Sequence, residues 1–70
     1  MKELGSIILS RRQELGLRQQ ELADLAEVGI NTLVAIERGK GNPSVGTLSK
    51  IADVLGLELT LSMKRSFLDK

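Results

Sequence analysis

Arg12 and Glu37 are the two charged residues whose positions ask for a chemical reason. Arg12 lies four residues after Ile8 and three before Leu15, which puts a guanidinium on the apolar side of a helix. Glu37 lies four after Leu33 and beside Ile36, on the inward side of another helix. A buried charge without a partner costs roughly several kcal/mol, so the two are expected to form an internal ion pair. The alternative is that Arg12 lays its stem on apolar surface and keeps its head in water. Neither arrangement is catalytic. The chain has no cysteine and no histidine, which removes Ser-His-Asp and Cys-His mechanisms and nearly all zinc, haem and thiolate chemistry. The glycine-containing stretch GKGNPS lacks the spacing of a phosphate-binding loop. Glu, Asp and Lys remain, with no pocket in sight to perturb them. The expectation is a protein that is not an enzyme, with no cofactor and no metal.

The whole chain has 70 residues, 41% of them apolar and 27% charged. That is the balance of a folded domain, and its length suits a single one, residues 1–70. A chain this short buries only about 60% of the surface exposed when unfolded. Without disulfides or metal, tight helix packing or a second copy must make up the difference. No apolar run is long enough to span a membrane or form a signal-peptide core, which fits a cytoplasmic protein with no membrane partner. Phe67 is the only aromatic residue, so no stacking platform for single-stranded nucleic acid exists. Ten basic against nine acidic side chains leave a net charge of +1, which permits a nucleic-acid partner without arguing for one.

The apolar period predicts four helices. Leu4, Ile7, Ile8 and Leu15 mark a first over residues 2–15, followed by Gly16 as a left-handed cap. Leu22, Ala23, Leu25 and Ala26 mark a second over 19–26. A third runs from 30 to 38 behind Gly29. After the loop 39–43, a fourth spans 45–55 between Ser44 and Gly56, with Leu48, Ile51, Ala52 and Leu55 inward. From Gly56 the period drops to two: Leu57, Leu59, Leu61 and Met63 alternate with polar residues, the pattern of a half-buried strand. No other strand is visible to pair with it, so a strand from a second copy is the expected partner and these four residues the expected dimer interface. The competing reading is a fifth helix, though its apolar residues would then share no single face. Residues 65–70 read as a tail.

Across residues 17–56 the chain resembles the helix-turn-helix of the phage-repressor class, the XRE or Cro family. The likeness is carried by Gln19, Glu21-Leu22-Ala23, Ile36-Glu37-Arg38-Gly39, Asn42-Pro43-Ser44 and Ile51-Ala52-Asp53-Val54-Leu55-Gly56, with the interval from Glu21 to Glu37 kept without insertion. The resemblance implies a mainly α, four-helix, lambda-repressor-like domain that binds double-stranded DNA, with Arg12 and Glu37 as the family's internal ion pair. The second helix of the motif then lies in the major groove while the first crosses the phosphate backbone. Gln19 stands at the place of the family's phosphate anchor. Arg18, Gln20, Arg38, Lys40 and Asn42 are the further phosphate candidates, although solvated charge alone would also explain the basic ones. Ile30, Asn31, Thr32, Val34 and Ala35 are the base-contacting candidates. Among them Asn31 is able to pair bidentately with adenine N6 and N7.

Three departures from the commoner pattern matter. Glu27 occupies the usual glycine of the turn, Gly29 the usual serine or threonine cap, and Ile30, Val34 and Ala35 are apolar where bases would lie. Those three either pack on thymine methyl groups or belong to a protein interface. The terminal strand, in turn, is similar to HipB-type antitoxins. The resulting expectation is a homodimeric transcriptional regulator, a repressor on a palindromic operator. The alternative is an antitoxin or protein-binding module holding a toxin partner, with DNA binding as autoregulation.

Overall fold

A computed structural model describes residues 2–60 as four α-helices: α1 (Lys2–Glu14), α2 (Gln19–Ala26), α3 (Ile30–Glu37) and α4 (Val45–Leu55). All four match the expected elements, with α1 and α3 each one residue shorter. The reason is local. Arg38 sits at φ −85° and ψ 0°, and Gly39 turns to φ +75°. The Lys40 N–H then donates back to the Ala35 carbonyl at 2.8 Å, closing the end of α3. At the start of α4 the expected cap is made: the Thr47 N–H donates to the Ser44 hydroxyl at 3.1 Å.

The main packing is of α1 and α2 each against both α3 and α4. The core is built from Ile8 of α1, Leu22, Ala23 and Ala26 of α2, Leu33 and Ile36 of α3, and Ile51 and Leu55 of α4. Ala23 is fully buried. Two assignments need correction. Ile7 and Leu15 are not on the buried stripe of α1; they are 54% and 44% exposed. The inward line runs instead through Gly5, Ile8 and Arg12, because α1 meets the C-terminal end of α3 at Gly5. A Cβ there would collide with the Ile36 carbonyl oxygen and lie 3.1 Å from that of Glu37. Leu25 likewise faces outward on α2.

The turn between α2 and α3 is three residues, 27–29. Glu27 adopts φ +57° and ψ +43°, the left-handed conformation, while the Val28 N–H donates to the Ala23 carbonyl at 3.0 Å. The sharp turn thus forms with a residue for which that conformation costs about 1–2 kcal/mol. Glu27 is exposed, so Glu27→Gly is expected to raise stability by about 1 kcal/mol, read as a higher urea midpoint at unchanged m-value.

After Gly56 the chain leaves α4, and residues 57–60 lie in no regular element; among the described residues there is no strand. Leu57 packs against the core of its own chain. Leu59 is partly exposed between two open apolar grooves, one walled by Leu4, Ile7 and Leu48, the other by Val45, Leu48 and Thr60. Leu61 and Met63 lie outside the described residues. No described helix is long and apolar enough to cross a membrane.

Candidate nucleic-acid interface

Arg12 and Glu37 meet as their periodicity requires. The Arg12 Nε donates to Glu37 Oε2 at 2.7 Å and one terminal nitrogen donates to Oε1 at 3.1 Å. The other terminal nitrogen donates to the Leu17 carbonyl at 2.8 Å. Their side chains are 11% and 3% exposed. The pair ties α1 to α3 and also to the loop that delivers α2. A bidentate guanidinium–carboxylate pair is among the stronger polar contacts, and the added carbonyl engages a third N–H of the guanidinium.

Gln19 joins the same cluster: its Nε2 donates to Glu37 Oε1 at 2.9 Å. Nothing in the spacing indicated this contact, because a polar residue in the first turn of a helix reads as solvated. Gln19 is the first residue of α2, and the helix begins there without a side-chain cap. The Glu21 carboxylate accepts from the Arg18 N–H at 2.8 Å. The reciprocal half of a capping box needs an acceptor, which a guanidinium lacks. The first-turn amides of α2 therefore remain available to an anion. Gln20 is exposed and spends its amide on Asp24, donating at 2.9 Å. Arg11 also serves the fold: its Nε donates to the Leu55 carbonyl at 2.8 Å, tying α1 to the end of α4.

An open groove of about 370 Å³ lies between α3 and the loop that follows it, lined by Asn31, Thr32, Ala35, Ile36, Lys40, Gly41, Asn42 and Pro43. Three of the base-facing candidates and two of the phosphate candidates thus share one concave surface. Asn31, Thr32, Arg38, Lys40 and Asn42 are exposed. Val34 and Ile30 do not line the groove and are half-buried, and Ile30 packs against the core cluster. Periodicity put Ile30 wholly on the outer face.

Two helices joined by a three-residue turn, with a groove that gathers Asn31, Thr32, Lys40 and Asn42 beside the second and an uncapped start on the first, define a helix-turn-helix domain. Residues 8–61 match the family model described as helix-turn-helix. The chain is 42% identical over 55 residues to an uncharacterized HTH-type transcriptional regulator of Methanothermobacter thermautotrophicus, covering 79% of this chain and 80% of that one. It is 38% identical over 60 residues to the ImmF control region 10 kDa protein of Bacillus phage phi105, covering 86% and 67%. Among solved structures, the clp gene regulator ClgR from Corynebacterium glutamicum superposes with a TM-score of 0.75 at 30% identity, over 80% of this chain. SinR, in a complex with SinI, superposes at 0.73 and 38% identity, over 77%. This chain spans only 60% and 53% of those two structures. The chain belongs to the XRE-type helix-turn-helix family of transcriptional regulators and repressors.

Proposed function

We propose that this chain is a sequence-specific binder of double-stranded DNA that acts as a homodimeric repressor on a near-palindromic operator. The observation that carries the reading is the shared groove of Asn31, Thr32, Lys40 and Asn42 in a helix-turn-helix domain. In it α3 enters the major groove, and Asn31 reads adenine with Thr32 and Ala35 beside it. Val34 and the exposed part of Ile30 pack on thymine methyl groups. Arg18, Gln19 and Gln20 at the start of α2, and Arg38, Lys40 and Asn42 after α3, hold phosphates. An operator with half-site centres about 34 Å apart suits two copies related by a two-fold axis. Linking them makes the second half-site contact effectively intramolecular, which gives so nearly neutral a chain useful affinity. The strand expected over residues 57–64 pairs across that dimer, through Leu59, Leu61 and Met63, with Leu57 fixed to its own core.

The test starts with selection of a duplex from a randomised pool by the full chain. Asn31→Ala is expected to weaken binding to that duplex by about 1–3 kcal/mol, roughly five- to 150-fold, and to relax base preference at one position of each half-site. An unchanged affinity and preference would remove α3 from the major groove. Light scattering on the full chain should return twice the chain mass; a monomer would remove the two-fold operator.

A second reading is supported by the exposed apolar residues and by SinR, whose structure is of a complex with another protein. In it the chain holds a protein partner, such as a toxin, and binds DNA to control its own expression. Asn31→Ala separates the two activities, since it impairs the duplex and spares a protein docked elsewhere.

A further inference from the structure

We infer that Glu37 is a positioning residue for DNA-backbone binding: its buried carboxylate fixes the Gln19 amide so that a donor faces the phosphate. The inference rests on the phosphate role proposed for Gln19.

A carboxylate can only accept, so the glutamine amide beside it must present nitrogen and never its carbonyl. At 2.9 Å the Gln19 Nε2 donates one hydrogen to Glu37 Oε1. The same nitrogen keeps a second hydrogen, and it sits on the first residue of α2, beside amides that no side chain caps. A free glutamine amide turns over readily, and half of its orientations offer an anion a carbonyl oxygen. Glu37 removes those orientations before DNA arrives. Hydrogen bonding to the carboxylate also polarises the amide and strengthens its remaining donor.

The carboxylate does not oppose the phosphate in return, because Arg12 neutralises it through two hydrogen bonds at 2.7 and 3.1 Å. Glu37 Oε1 is shared by Arg12 and Gln19, so the core ion pair and the anion seat are one hydrogen-bonded unit. Arg12 also holds the Leu17 carbonyl, two residues before Gln19, which steadies the backbone leading into the seat.

The experiment is a double-mutant cycle on the full chain with Gln19→Ala, Glu37→Gln and the pair, using the duplex selected by the wild type. Binding constants and melting temperatures are measured side by side. Gln19→Ala should weaken binding about tenfold, the scale of one lost hydrogen bond to a charged group. Glu37→Gln should weaken it about fivefold in the wild-type background and leave it unchanged in the Gln19→Ala background, while lowering the melting temperature in both. Equal losses in the two backgrounds would overturn the inference and leave Glu37 a purely structural residue. If Gln19→Ala alone binds normally, the phosphate role of Gln19 fails and takes the inference with it. Should Glu37→Gln not fold, side-chain relaxation of the wild-type chain decides. The Gln19 amide should be as ordered as rigid backbone, with an order parameter of about 0.85. An amide as mobile as that of exposed Gln13 overturns the inference.

Discussion

Replacing Arg12 with alanine is expected to cost about 3–5 kcal/mol of stability, the range for removing one partner of a buried ion pair. A domain of this length holds only about 4–10 kcal/mol in total, so the variant should be largely unfolded well below the wild-type midpoint. The effect is large because three acceptors lose their donor at once: both oxygens of Glu37 and the carbonyl of Leu17. The carboxylate, 3% exposed in the native pair, then keeps only the Gln19 amide as a partner. Circular dichroism across a urea series measures the loss, and a cost below about 1 kcal/mol would mean that water reaches the pair. Replacing both residues by apolar ones of similar volume should recover most of the stability, since a buried pair as a whole adds little over good packing.

The second large effect is expected at a residue with no side chain. Gly5→Val should lose about 3 kcal/mol, the upper end for overpacking, because its Cβ meets backbone and not a movable side chain. The atoms in the way are the carbonyl oxygens of Ile36 and Glu37. They belong to the last turn of α3, so α1 must lift away from it. The Arg12–Glu37 bonds span the same two helices, and lifting α1 strains them too. The measurement is again the urea midpoint; a loss within about 0.5 kcal/mol would show that α1 slides freely.

These two sites show what the sequence makes legible and what it conceals. The ion pair could be found because each charge interrupts an apolar stripe, and a period of 3.6 says which side of the helix it occupies. The four helices follow from the same period, with Ser44 and Gly56 closing α4. Gly5 stays hidden because glycine leaves no mark in a hydrophobic pattern. The apolar period therefore includes Ile7 and Leu15, which the fold leaves exposed. Periodicity along α3 alone places Ile30 outward, whereas in the fold it is half-buried against the core. The hydrogen bond from Gln19 to Glu37 links residues 18 apart through tertiary packing alone. Leu57 and Leu59 share one parity of the alternation, yet the first joins its own core and the second opens to grooves. Alternation separates two faces and cannot say which chain will cover one of them.

The uncapped start of α2 has an evolutionary consequence. An aspartate in place of Arg18 would satisfy the waiting amides and steady the helix by about 1 kcal/mol. It would also set a negative charge where the proposed DNA-binding mode places a phosphate. A lineage selected for robustness alone would drift toward such a cap, whereas one selected to grip a polyanion keeps the terminus open and tolerates the weaker helix.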